Sequence, residues 1–419
     1  MLSSILKTLQ SYPYHSYVLA YSGGLDSHVL LHALAELKNT HQLDNIRAIH
    51  IDHGLQKESA LWSQHCEKTA NALNILCEII RLNLQINEGE SIESVAREAR
   101  YQALESALQP NEILLTAHHQ DDQAETVLLQ LFRGAGVNGL AAMPESKAFA
   151  QSLLVRPLLE FSRQQLREYA EQHQLDYIDD PSNFDTDFDR NFLRHKVIPL
   201  LQTRWQGIHK NLNRVARLQA EAKYLLESSL QADLELLLDG NKALSINDLL
   251  PFDEVKQKAI IRLWLKQLSF KMPSEIKLKH IISDVIHAKQ DASPCVDWDN
   301  VEIRRFQNRL YAVEKLANFD ATAIIPWDTN QPLKITAIGK TLKPEQLGKW
   351  QDACQQSDQV TVRFRQGGER IRLHGHQQTA SLKNLMQTAN IPPWERKRIP
   401  LIYLKDKLIM AYPYWSSKR

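Results

Sequence analysis

The chain of 419 residues is poor in cysteine: it has four, Cys66, Cys77, Cys295 and Cys354, and no C-x-x-C pair. That spacing argues against structural zinc and iron–sulfur clusters, which need closely spaced thiolates, and fits reduced thiols in a reducing compartment. No apolar run approaches the roughly 20 residues of a membrane-spanning helix, and the N-terminal segment MLSSILKTLQSYPYHSY has no apolar core followed by a small-residue cleavage site. The expectation is a cytoplasmic protein with no membrane association. Net charge is nearly absent at +1, but it is unevenly spread. From Thr361 to Arg419 there are twelve Lys/Arg against three Asp/Glu, so the body before this tail is mildly acidic. A basic tail on an acidic body suits a polyanionic partner, while a solvated face or a homodimer contact would give the same composition.

With 43% hydrophobic and 24% charged residues, the composition is that of a globular protein, long enough for two or three domains. Short apolar segments (Tyr17–Tyr21, Ile46–Ile51, about Glu78–Leu84, Ile113–Ala117) alternate with helical patterns (from Val29, about Ala60–Leu73, about Ile92–Leu108). This βαβα rhythm predicts an α/β fold, a doubly wound parallel sheet, over residues 1–205. Ligands of such sheets sit beyond the carboxyl ends of the strands. A helical domain is expected over 206–317, a linker over 318–355, and a small basic α+β domain over 356–419.

Between the first strand and its helix stands Ser22-Gly23-Gly24-Leu25-Asp26-Ser27. Paired glycines let the backbone approach an anion, and a helix N-terminus offers free N–H groups and the positive end of its dipole. The segment reads as a phosphate cradle, although a tight turn capped by Asp26 and Ser27 would look similar. It lacks the Gly-Lys-Ser/Thr ending of a P-loop, so transfer of a γ-phosphoryl group is not expected. A second cluster runs from Thr116 to Thr126 as TAHHQDDQAET. Asp121 and Asp122 suit either helix capping or, with Asp26 at the same sheet edge, Mg²⁺ held jointly with substrate phosphates.

The Ser22–Ser27 segment resembles the PP-loop signature of the N-type ATP pyrophosphatases, which implies cleavage of ATP between its α and β phosphates. Asp52-His53-Gly54-Leu55, Ala96-Arg97-Glu98-Ala99-Arg100-Tyr101, Arg133-Gly134-Ala135-Gly136, Asp180-Pro181-Ser182-Asn183, Arg190-Asn191-Phe192-Leu193-Arg194-His195, Asp291–Cys295 and Ile391–Arg396 follow in order. Together with the His119–Thr126 cluster, they make the chain similar to the tRNA(Ile)-lysidine synthetases along nearly its whole length.

That resemblance implies ATP and Mg²⁺ as cofactors, and free L-lysine and a tRNA(Ile) with a CAU anticodon as substrates. It further implies that the wobble cytidine is adenylated at its C2 oxygen and that the lysine ε-amine then displaces AMP. Asp122, matching the family's catalytic acid, is expected to fix or deprotonate that amine, with Asp26, Arg190 and Arg194 sharing the catalytic role. Ser22 to Ser27, Asp52 and His53 are expected at ATP. Arg97, Arg100, His119, Glu125, Asn183, Asn191, Arg363 and Arg365 are expected at the tRNA or substrate, and Asp26 and Asp121 at Mg²⁺. The arginines would serve equally in surface ion pairs, and Asp52 and His53 in a satisfied turn. The tail departs from the family at Ala380-Ser381-Leu382-Lys383-Asn384, where a lysine-rich helix start is common. A cluster-dependent thiolase or a glutaminase-fed synthetase would need a cysteine pair or a nucleophilic cysteine, and neither pattern is present. A nucleotide-sensing or RNA-binding protein without catalysis remains the alternative from another class.

Overall fold

Alternation along the first strand organises the N-terminal half. Tyr17 and Leu19 face one core, with Val29 and Leu30, while Val18 faces a second, with Leu104 and Leu114. A strand buried on both sides needs helices on both faces of its sheet. The computed structural model describes residues 1–14, 16–54, 58–84, 92–289, 292–316, 318–356, 359–373 and 378–417. Leu55 and Asp291, both part of the resemblance, lie outside these. Two units emerge, Met1–Ser228 and Ser229–Arg419.

The first unit contains α1 (Leu2–Gln10), β1 (Ser16–Ala20), α2 (Leu25–Asn39), β2 (Asn45–Asp52), α3 (Ser59–Ala72), β3 (Leu76–Arg81), α4 (Ile92–Ala107), β4 (Glu112–Leu115) and α5 (Gln120–Phe132). It continues through α6 (Val137–Leu140), β5 (Ser146–Phe149), β6 (Ser152–Val155), α7 (Arg163–Gln172), α8 (Asp189–Phe192), α9 (Ile198–Arg204) and the start of α10 (Ile208–Leu237). The six-stranded sheet has the order β3-β2-β1-β4-β6-β5. Its strands run parallel apart from β5, which turns back on β6 as an antiparallel edge hairpin. The sequence reading overlooked that hairpin because Ser146–Val155 has no clean alternation. Each fully buried Leu or Val of the two cores contributes roughly 1.5–3 kcal/mol, and this fixes the strand ends that carry the site.

The second unit differs from the expected helical domain. After α11 (Ile246–Leu249), α12 (Glu254–Gln267) and α13 (Glu275–His280), the strands β8 (Cys295–Trp298), β9 (Val301–Phe306) and β10 (Arg309–Glu314) join β7 (Leu244–Ser245) in an antiparallel sheet of order β7-β10-β9-β8. Charged side chains such as Arg304, Arg305 and Arg309 hide the alternation there, although Val301, Ile303 and Leu310 are buried.

Nor is 318–355 a linker. β11 (Ile325–Pro326) pairs with β14 (Val360–Arg363), and Trp327, Leu347 and Trp350 share a core with Val362, Ile402 and Ile409. Between them lie the hairpin β12 (Leu333–Ile335) and β13 (Lys340–Leu342) and helix α14 (Gln351–Gln355). The tail adds β15 (Arg370–Ile371), β16 (Ala380–Ser381), α15 (Leu382–Thr388), α16 (Pro393–Arg396), β17 (Leu401–Leu404), β18 (Lys407–Ala411) and β19 (Trp415–Ser416). Trp394 meets Phe306 and Tyr311 edge-on at 6.2 and 5.5 Å, a packing role. Among the described residues no helix is long and apolar enough to cross a membrane.

Candidate active site

The turn after β1 is held in shape by its own side chains. Ser27 Oγ accepts from the Ser22 N–H (3.2 Å), donates to the Gly24 carbonyl (3.0 Å) and lies 3.0 Å from Ser22 Oγ. Gly23 has φ +83, and a Cβ there would sit 2.7 Å from both Cys66 Sγ and Ile178 Cδ1, so glycine is required twice over. The Ile178 N–H donates to the Gly23 carbonyl at 3.0 Å, drawing the 177–184 segment across the turn. Gly24 caps α2 without a side-chain bond, which leaves first-turn N–H groups to offer an anion.

At the end of β4 the chain enters α5 through a reciprocal cap. His119 Nδ1 accepts the Asp121 N–H (3.2 Å), and Asp122 Oδ2 accepts the His119 N–H (3.0 Å). His119 is fully buried. With Nδ1 accepting, the neutral ring carries its proton on Nε2, which lies 3.4 Å from Asp26 Oδ2 and 3.4 Å from Asp122 Oδ2. Burial opposes a charge on this ring, but Asp122 and Asp26 raise its pKa above the ordinary imidazole value. His119 therefore couples the phosphate turn to the α5 carboxylates.

Those carboxylates are locked to two arginines. Asp122 Oδ1 accepts from Arg190 Nη2 (3.0 Å) and Arg194 Nη2 (3.2 Å). Glu125, whose side chain is 1% exposed, accepts from Arg190 Nε and Arg194 Nε, both at 2.6 Å. Although burial works against it, His119 and Arg190 hold the Asp122 carboxyl well below the usual carboxylate range. Both Asp122 oxygens are therefore occupied by donors, Oδ1 by the two guanidinium groups and Oδ2 by the His119 N–H.

A cavity of about 640 Å³ opens over these groups. Of the expected site residues, Ser22, Gly24, Leu25, Asp26, Ser27, Arg97, Arg100, Asp121, Asp122, Glu125, Asn183 and Arg194 line it. Arg190 reaches it through Asp122 and Glu125, and His119 lies beneath. Asp26 Oδ1 is buried with no partner, whereas Asp121 Oδ1 accepts the Arg163 N–H (3.0 Å) and its Oδ2 faces His209 at 3.4 Å. Asp26 thus keeps one oxygen, Oδ1, open to a cation while Oδ2 faces His119, whereas both oxygens of Asp121 have partners. Among the described residues no group of three His, Cys, Asp or Glu could hold a metal, so phosphates would have to complete any Mg²⁺ shell.

Other expected residues stand apart. Asp52 Oδ1 accepts the N–H of Gly54 (2.9 Å), and His53 Nε2 accepts from Arg100 Nε at 3.0 Å; neither lines the cavity. Burial and then Arg100 push the His53 pKa down to about 4. Asn191 staples the 182–185 turn by donating to the carbonyls of Ser182 and Asp185 (2.9 and 2.8 Å). In the second unit, Arg363 rests over the Tyr403 ring (4.5 Å) and Arg365 lies 3.8 Å from Glu369. The sequence reading missed Arg163, Tyr177, Phe184 and His209 and gave His118, within its second cluster, no role; all five also line the cavity. His118 was legible from its place just after a parallel strand; burial pushes its pKa down to about 4.

The profile of the PP-loop domain matches residues 1–201, that of the TilS substrate binding domain residues 244–311, and that of the TilS substrate C-terminal domain residues 360–419. The chain is 41% identical over 400 residues to the tRNA(Ile)-lysidine synthase of Coxiella burnetii, covering 95% of this chain and 89% of that one. The chain belongs to the tRNA(Ile)-lysidine synthase family. A second member, from Proteus mirabilis, is 41% identical over 402 residues, covering 95% and 90%. The PP-loop match spans the parallel sheet and the cavity lining apart from Gln202 and His209, and the two other family domains fall on the second unit.

Proposed function

We propose that this chain is an ATP-dependent ligase that adenylates the wobble cytidine of a CAU-anticodon tRNA(Ile) and joins the lysine ε-amine to C2 of the base. The observation that carries this reading is the convergence of the Ser22–Ser27 turn and the Asp122–Glu125–Arg194 cluster on one cavity. Family membership over 95% of the chain supports it. The cytidine C2 oxygen bonds to the α-phosphorus as pyrophosphate leaves; the neutral lysine amine then bonds to C2 as AMP leaves. First-turn N–H groups of α2 bind phosphate oxygens, and Asp26, with its unpartnered Oδ1, would hold Mg²⁺. Bound there, Mg²⁺ offsets phosphate charge. Arg190 and Arg194, preorganised by Glu125, stabilise charge developing on the leaving groups. Asp122 positions these arginines and attracts the lysine ammonium, which gives its proton to solvent before the neutral amine attacks; the proton shed by the nitrogen as C2–N forms also passes to solvent. The basic residues after Val360 grip tRNA phosphates. Such an enzyme works where tRNA matures, which supports a cytoplasmic address. ATP breakdown to AMP and pyrophosphate should require the tRNA; breakdown indifferent to tRNA would contradict the reading.

A further inference from the structure

On the α4 side of the cavity, Arg97, Arg100, Lys147 and Arg156 gather, and among the described residues no carboxylate pairs with them. Arg97 Cζ lies 5.2 Å from the centroid of the Tyr101 ring and Lys147 Nζ 5.5 Å from it. Phe149 steadies that ring edge-on at 5.9 Å. Arg156, 5% exposed, donates from Nη1 to the Pro144 carbonyl at 2.6 Å, and its buried Nε has no partner. Arg100 bonds to the uncharged His53 ring. Among the described residues, none of these cations has an ion-pair partner. Burial and then Arg97 push the Arg156 pKa down; burial, then Arg156 and Arg97, do the same to Lys147.

Gathering unneutralised cations, one of them buried, is costly in a low dielectric, and an anion relieves that cost. We propose that Arg156, Lys147 and Arg97 form a phosphate-binding subsite beside the cavity, a role that the sequence reading gave to neither Lys147 nor Arg156. The inference rests on the reading of the cavity as the place where ATP and tRNA meet. Several monovalent cations match a phosphate better than a single carboxylate, and guanidinium forks engage its oxygens in pairs. Arg97, Arg100 and Tyr101 line the cavity, so a phosphate of the tRNA backbone or of the ATP and pyrophosphate chain can reach this corner.

The test uses full-length wild type, Lys147→Gln and Arg156→Gln. Affinities are measured for pyrophosphate, ATP and tRNA, the last at two salt concentrations. Lys147 is on the edge strand β5, so its variant keeps the test valid if Arg156→Gln fails to fold. Removing one charge-assisted hydrogen bond should weaken the relevant ligand about tenfold. Weaker pyrophosphate and ATP with unchanged tRNA binding assigns the subsite to the nucleotide. Weaker tRNA binding with a salt slope lower by roughly 0.7–0.9 and unchanged ATP assigns it to the RNA backbone. Unchanged affinity for all three, or a change confined to the KM for lysine, overturns the proposal. A wild type that binds pyrophosphate through these residues yet never modifies tRNA would sink the proposed function and leave the subsite standing.

Discussion

Arg194 closes on Glu125 as a fork: Nε meets Oε1 at 2.6 Å and Nη2 meets Oε2 at 3.0 Å, with the carboxylate almost wholly buried. A pair of this kind is costly to break from one side, because the remaining charge stays buried. Glu125→Leu and Arg194→Leu should each lower stability by about 3–5 kcal/mol, and the double variant by less than the sum of the two. Urea unfolding of all four proteins measures the coupling; additive losses would show that the two charges act independently.

Gly23→Ala tests the phosphate turn. At φ +83, with Cys66 and Ile178 each 2.7 Å from the added carbon, alanine should cost about 1–3 kcal/mol and raise the KM for ATP. Unchanged stability and unchanged KM would mean that the turn is not held in this form.

Acid should destabilise the first unit through its neutral histidines. Burial pushes the pKa of His28 and that of His118 down to about 4, below the unfolded value of about 6.5. The unfolded chain binds protons first, so this stability is fully present above about pH 6.5 and is lost as pH falls from there towards 4. His28, whose Nδ1 is buried without a partner, lies outside the cavity lining. Replacing it by Asn should flatten the pH dependence of the unfolding midpoint between pH 4 and 6.5, and an unaltered profile would remove His28 as a source.

The tail calls for a salt titration. Arg363→Gln combined with Arg365→Gln should weaken tRNA binding and lower its salt slope by roughly 0.7–0.9 for each phosphate no longer gripped, with ATP affinity unchanged. An unchanged slope would leave Arg363 to its Tyr403 and Asp406 contacts. Truncation at Gln356 is a poorer test, because it cuts the core shared by Trp327, Trp350 and Val362.

The parallel sheet and the Ser22–Ser27 turn were legible because their signals are local: alternating strands and helices, paired glycines, a helix start. What Asp122 does was not legible, since its character depends on arginines 68 and 72 residues away in sequence. The fold of 318–355 was hidden for a similar reason: short strands and single tryptophans form a core only with partners beyond Val360. Asp121 was paired with Asp26 on sequence proximity to the sheet edge, but its neighbours Arg163 and His209 come from later helices. Asn191 reads from sequence as a polar site residue and becomes a turn staple once Ser182 and Asp185 are placed beside it.

The most direct test of the account is mass analysis of nucleosides from a CAU-anticodon tRNA(Ile) incubated with the protein, ATP and isotopically labelled lysine. The expected result is one cytidine per tRNA heavier by a lysine less water and carrying the label, with one AMP and one pyrophosphate formed for each. AMP and pyrophosphate accumulating while every cytidine stays unlabelled would contradict it.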